Sequence, residues 1–183
     1  MELTQAVKER RSVRSYADTP VSVQTVEEII DEARFAPSWK NTQTSRYTLI
    51  TDRAVLDRIA DEGMLGFGNN TRVVKNAPAL VVLSTRQHIS GYERDGSPTT
   101  SQGDHWQSFD AGLAAEAFCL AAYQRGLGTL IMGIYDENEI ARLIDLPQDE
   151  KASALIALGV PADGTFPAAP KRKEVSELLR VIG

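Results

Sequence analysis

Apolar residues along the chain repeat with helical spacing in some stretches and run together in others. Leu3, Ala6 and Val7 lie at the i, i+3, i+4 positions of one face, which predicts a short amphipathic helix over 3–10. Val26, Ile29, Ile30 and Ala33 form a second such face behind a Thr19-Pro20-Val21-Ser22 turn, with Ser22 as N-cap and Pro37 as the stop. The polar run 38–44 reads as loop and Tyr47 to Thr51 as a strand. Val55, Leu56, Ile59 and Ala60 predict a third helix closed by Gly63. Residues 66–70 read as a flexible polar stretch, and Ala79 to Ser84 as a buried strand behind Pro78. Residues 86–105 have no periodicity. A loop of that length in a compact chain is functional or disordered.

Trp106 to Arg125 carries the strongest helical pattern. Phe109, Leu113, Ala117 and Leu120 share one stripe and small residues cover much of the rest. A helix apolar on most sides belongs at the middle of a domain or at a subunit interface. Gly126 to Met132 predicts a turn and a strand. Asp136 and Glu139 form a capping box for a helix over 137–144, and Ala152 to Val160 is the last strand. Pro161, Pro167 and Pro170 mark an irregular stretch, and the C-terminal segment after it reads as short and polar. Strands interspersed with helices predict an α+β or α/β sandwich, a sheet covered by helices. With no repeat and no break in composition, residues 1–183 read as a single domain.

Composition narrows the function. The 183 residues are 42% hydrophobic and 25% charged, proportions that exclude a disordered or fibrous chain. A single cysteine, Cys119, excludes an intramolecular disulfide and a four-cysteine metal site, and its apolar helix makes it a small buried hydrophobe. With only His88 and His105 besides, no metal site is expected. The N-terminal MELTQAVKERR lacks the apolar stretch of a secretory signal, and the apolar run 111–123 is too short to span a bilayer. A cytoplasmic protein without a membrane partner is therefore expected. The net charge of −5 argues against a nucleic-acid partner. That average conceals two basic islands, residues 8–14 with four cations and one anion, and Lys171-Arg172-Lys173.

No nucleophilic triad and no phosphate-binding P-loop can be read. Gly126-Leu127-Gly128 follows a helix and precedes a strand, the reverse of a dinucleotide fingerprint. Asn69-Asn70-Thr71 fits a glycosylation acceptor, which carries little weight without a secretory signal. Arg10, Arg11 and Arg14 around Ser12 suit a phosphate monoester, which arginine forks and a hydroxyl hold well. Arg172 and Lys173 can close on the same phosphate from the other end of the chain. Two solvated charge clusters remain the alternative.

The segment Arg10-Arg11-Ser12-Val13-Arg14-Ser15-Tyr16 resembles the opening motif of the nitroreductase family of FMN-dependent NAD(P)H oxidoreductases. Ala36-Pro37-Ser38-Trp39-Lys40-Asn41-Thr42-Gln43 is similar to its A-P-S-x-x-N-x-Q motif. Asp110-Ala111-Gly112-Leu113-Ala114-Ala115, Gly126-Leu127-Gly128-Thr129, Leu143-Ile144-Asp145-Leu146-Pro147, Ala157-Leu158-Gly159-Val160-Pro161 and Lys171-Arg172-Lys173 match later features in order. The chain departs from many members at Thr44-Ser45, where Pro-Trp is common, and it is short after Arg172.

The resemblance implies an α+β, nitroreductase-like sandwich, with a mostly antiparallel central sheet covered by helices. It implies a homodimer with shared FMN sites. By position, Arg10, Arg11, Ser12 and Arg14 would hold the phosphate and ribityl chain, with Arg172 and Lys173 completing the phosphate site. Pro37 and Ser38 of the partner chain, with Asn41, would approach the ring. Asn70 would hydrogen-bond the ring, and the backbone at Met132 and Gly133 would face flavin N5. Electrons would pass from NAD(P)H to a nitroaromatic, quinone or similar small acceptor by a ping-pong mechanism. With the redox chemistry carried by the flavin, no side chain is singled out as catalytic. Residues 89–105 are the candidate lid, with Tyr92, Trp106 and Phe109, together with His105, as substrate contacts. A same-fold flavin enzyme with another reaction, a non-enzymatic flavin-binding protein and a flavin-free anion-binding module are the alternatives.

Overall fold

The structure, a computed structural model, describes residues 2–183; Met1 lies outside them. The elements in chain order are α1 (Leu3–Glu9), α2 (Val23–Ala33), a 3-10 turn (Trp39–Asn41), β1 (Ser45–Ile50), α3 (Arg53–Glu62), α4 (Gly68–Asn76), β2 (Ala79–Arg86), α5 (His105–Gln124), β3 (Gly128–Met132), α6 (Glu137–Leu143), β4 (Glu150–Gly159) and α7 (Val175–Leu178). Two helix starts are fixed by side-chain oxygens, Ser22 Oγ accepting from the Thr25 N–H at 3.0 Å and Asp52 Oδ1 from the Val55 N–H at 3.1 Å. After α5 the chain reverses at Gly126, whose φ of +76° is open to glycine at little cost. The Leu127 N–H then closes the helix end on the Ala122 carbonyl at 3.0 Å.

The four strands form one antiparallel sheet in the order β1-β2-β4-β3. The central strands β2 and β4 are almost wholly buried, and their alternation sorts side chains between two cores. Leu80, Val82, Leu155 and Ala157 join Ile59 of α3, Val73 of α4 and Ile140 of α6. Val81, Leu83, Ile156 and Leu158 join Ile29 of α2 and Phe118 of α5. The result is the expected α+β sandwich, an antiparallel sheet covered on both faces. Among the described residues no helix is long and apolar enough to cross a membrane.

Four readings of the pattern differ from the structure. The 66–70 stretch is not a free loop, because α4 begins at Gly68 and is held by Val73 and Val74 in the core. The stripe Phe109, Leu113, Ala117, Leu120 is not the core face of α5. Phe109 is 58% exposed, while Ala111, Ala114, Ala115, Phe118, Cys119 and Ala122 face the sheet and α2. Small residues let helix and sheet approach closely, with Phe118 as a bulky side chain of that face, while Leu113 and Leu120 are only half-buried. Only half of the capping box forms: Asp136 Oδ1 accepts from the Glu139 N–H, but the Glu139 carboxylate turns to Arg142. The C-terminal segment is mixed rather than polar, because Val175, Leu178, Leu179, Val181 and Ile182 stand exposed among its charges.

Candidate functional site

After α1 the chain runs extended along the outer strand β3. Ser12 bridges Thr129, and the Val13 N–H donates to the Thr129 carbonyl at 2.9 Å. Val13 is buried against Gly128, where an added Cβ would lie 2.5 Å from Val13 Cγ2. This close approach sets the arginine segment in place. Arg11 Nη1 donates to the carbonyls of Lys8 and Arg10 at 2.6 and 2.7 Å, and Arg14 Nη1 to that of Ser12 at 3.2 Å. Arg10 Nε stands 3.7 Å from Glu116 Oε1 of α5.

The second basic island arrives at the same place. Pro167, Ala168, Pro170 and Arg172 close with Arg10, Arg11, Ser12 and Arg14 around a cleft of about 260 Å³. Lys173 is exposed and does not line it. The buried Nε atoms of Arg10 and Arg11 have no hydrogen-bond partner among the described residues. Leaving donors of a charged group buried and unmet is costly, so these point to an anion as the missing acceptor. A phosphate monoester, with two negative charges and several acceptor oxygens, fits that donor set.

From Glu116, beside Arg10, a larger trough of about 540 Å³ is bounded by Gly112 and Ala115 of α5, by Ile131 of β3 and by Tyr135 and Lys151. At the end of β3 Met132 is buried, with its side chain in the core. Gly133 is exposed. Asn70, buried in the first turn of α4, donates from Nδ2 to the Ile134 carbonyl at 3.1 Å. Asn70, Met132 and Gly133 are therefore brought together. Tyr135 donates to the Ala152 carbonyl at 3.0 Å, and burial pushes its phenol up to about 12, so it stays a donor at neutral pH.

Pro37, Ser38 and Asn41 lie elsewhere in the protomer. Pro37 and Ser38 line a cavity of about 340 Å³ with Asp110 and Ala114 of α5, and that cavity shares no lining residue with the cleft or the trough. The loop is strained, with Lys40, Asn41 and Gln43 at φ of 45°, 57° and 49°. Each such residue costs of order 1–3 kcal/mol unless its surroundings hold it. Here Ser38 Oγ accepts from the Gln43 N–H at 2.9 Å, and the Trp39 N–H donates to both Asp110 oxygens at 3.1 and 3.0 Å.

Residues 87–104 form no helix and no extended strand, yet they are cross-braced. The His88 N–H donates to Gln107 Oε1 at 2.8 Å, Ser90 Oγ to Asp110 Oδ2 at 2.6 Å, Tyr92 to Asp104 at 2.6 Å and Trp106 Nε1 to Thr100 at 2.9 Å. Trp39, Trp106 and Phe109 form an aromatic series, with ring centroids 4.6 and 5.7 Å apart. Tyr92 stands apart from it, against His88, and His105 is exposed at the start of α5. Trp39 and Asp110 were not among the residues singled out from the sequence. Trp39 is signalled only by its place inside the Ala36–Gln43 motif. Cys119 is fully buried and its thiol is pushed up to about 11, which makes it no nucleophile. Among the described residues no group of three or more His, Cys, Asp or Glu side chains could hold a metal ion.

The model of the nitroreductase family matches residues 7–67 and 65–160. The chain belongs to the nitroreductase family. An Archaeoglobus fulgidus relative, provisionally named an NADH dehydrogenase/NAD(P)H nitroreductase, is 27% identical over 166 residues, covering 88% of this chain and 87% of its own length. The FMN reductase [NAD(P)H] of Bacillus subtilis is 25% identical over 175 residues, 88% of this chain and 67% of the relative. Among solved structures, a provisional nitroreductase from Desulfovibrio desulfuricans in complex with FMN superposes with a TM-score of 0.76 at 26% identity, covering 100% of this chain and 98% of that one. This nitroreductase-family chain thus shares its fold with an FMN complex, and its arginine cleft presents the unmet donors described above.

Proposed function

We propose that the protein is an FMN-dependent oxidoreductase that passes electrons from NAD(P)H to a nitroaromatic, a quinone or a similar small acceptor by a ping-pong mechanism. We read it as a single FMN-binding domain over residues 1–183, active in the cytoplasm as a homodimer with shared sites. The observation that carries this reading is the meeting of two basic islands, distant in the chain, around a cleft with two orphaned arginine donors. The names of the relatives, NAD(P)H nitroreductase and FMN reductase, support it.

Arg10, Arg11, Ser12, Arg14 and Arg172 would hold the phosphate, with Lys173 adding charge at the rim. Asn70 and the backbone of Met132 and Gly133 would face the ring. Bound FMN supplies the redox chemistry, taking electrons from the nicotinamide and releasing them to the acceptor. The protein orients the ring, excludes water and offers backbone and amide donors to its polar edge. Pro37 and Ser38 would serve the site of a second copy, because in their own protomer they lie against a separate cavity, and Asn41 of the same loop would approach the ring. The exposed Phe109, Val181 and Ile182 give such a copy an apolar surface to cover.

Two measurements test the reading. The purified protein should be yellow, and NADH or NADPH should bleach it in stopped flow, with colour returning on adding a quinone. Absence of bleaching by either nicotinamide would remove the electron donor from the proposal. Sedimentation should give a dimer.

A further inference from the structure

Asp110 is the one carboxylate buried in the alanine-rich face of α5, 3% exposed. Burying an anion there is costly unless its oxygens are engaged. They are engaged by two different segments, neither of which belongs to α5. The Trp39 N–H reaches both oxygens, and the Ser90 hydroxyl reaches Oδ2 at 2.6 Å. Around this junction the two segments touch again: the Trp39 ring lies 4.6 Å from that of Trp106, and Lys40 Nζ lies 3.3 Å from Glu93 Oε1. The strained backbone at residues 40–43 follows directly on the residue that Asp110 holds.

We propose that Asp110 is a positioning residue, which locks the 38–43 loop and the 87–104 segment into one rigid wall that sets acceptor recognition. The inference rests on the oxidoreductase reading above for the word acceptor, but not for the lock itself. Asp110 touches neither the arginine cleft nor the trough, so it acts through Trp39 and Ser90. With the lock open, the left-handed residues relax and the Trp39–Trp106 pair separates. The phosphate-binding segment 10–14 keeps its place beside β3.

The test uses the full chain with FMN bound, and Asp110→Ala beside Asp110→Asn. The amide keeps one acceptor for the Trp39 N–H and can donate to Ser90 Oγ, so it should restore most of the wall. For Asp110→Ala, KM for 1,4-benzoquinone should rise about tenfold with little change in kcat, the signature of lost positioning in the binding step. Ferricyanide, which needs no shaped pocket to take an electron, should be reduced at the parental rate. Asp110→Asn should return KM to within about threefold of the parent. An unchanged quinone KM in Asp110→Ala overturns the proposal. So does an equal loss with both acceptors, which would make Asp110 a scaffold residue only. If the parental protein is not bleached by either nicotinamide, the oxidoreductase reading fails, and the lock is judged by hydrogen exchange. Exchange should then rise together in 38–43 and 87–104 of Asp110→Ala while β2 and β4 stay protected. A rise in one segment alone overturns the lock.

Discussion

At the arginine cleft, cations from both ends of the chain converge and leave the Nε donors of Arg10 and Arg11 without acceptors. Around Asp110, a buried anion has both oxygens engaged by donors from two other segments. Both clusters adjoin α5, but the unmet donors of the cleft belong to cations, whereas the carboxylate of Asp110 is itself satisfied although Trp39 Nε1 and Tyr47 Oη near it are not. A buried carboxylate that finds its donors inside the chain holds its shape, and buried guanidinium donors without acceptors suit an anion from outside. The difference separates a binding residue from a positioning residue without reference to motif.

The largest expected effect tests the open side. Arg10→Ala combined with Arg172→Ala should weaken FMN binding by about a hundredfold or more, since each charge-assisted hydrogen bond lost costs about 1.5–3 kcal/mol. Flavin fluorescence titration reads this. The melting of the flavin-free protein should not fall by more than the small worth of the half-exposed Arg10–Glu116 pair, because the unmet Arg10 Nε costs stability and Arg172 is exposed. Unchanged affinity would make the two islands solvated surface. Gly128→Ala links stability to the same cleft. Its Cβ would meet Val13 at 2.5 Å, and overpacking of this kind costs about 1–3 kcal/mol. A lower urea midpoint should come with weaker FMN binding, because Val13 lies between Ser12 and Arg14.

Ser90→Ala gives the opposite signature. It leaves an oxygen of the buried Asp110 short of a donor and should cost about 1–2 kcal/mol in urea unfolding, with FMN affinity unchanged. A matching loss of flavin would mean that the two clusters are not independent. The smallest effect concerns Cys119. With its thiol pushed up to about 11 by burial, only roughly one part in ten thousand is thiolate at pH 7. An aromatic disulfide reagent should stay unreacted on the native protein and react promptly in denaturant.

Much of the sandwich was legible because its central strands carry apolar runs, Ala79–Leu83 and Ala154–Leu158, and its helices carry clear caps, as at Ser22 and Asp136. The islands were legible as charge, and the resemblance to the nitroreductase motifs supplied their meaning. α4 was not legible. Its first turn is Gly68-Asn69-Asn70, a composition typical of turns, and only the packing of Val73 and Val74 makes it helix. The orientation of α5 was hidden for a related reason. Its bulky residues form the obvious stripe, but close packing selects the alanine face. Asp110 was invisible in its role, since a lone aspartate in a helix gives no sign of being buried until Trp39 and Ser90 are placed against it.

The position of β3 has a further consequence. It is one of the two edge strands, and an uncovered strand edge invites pairing with another chain. Here that edge is partly occupied by Ser12 and Val13, from the same stretch that carries the arginines. One segment thus serves both as anion clamp and as guard against edge-to-edge association. Loosening it would empty the cleft and unmask the strand in a single event, so protein that has lost its cofactor and protein prone to aggregate would be the same population.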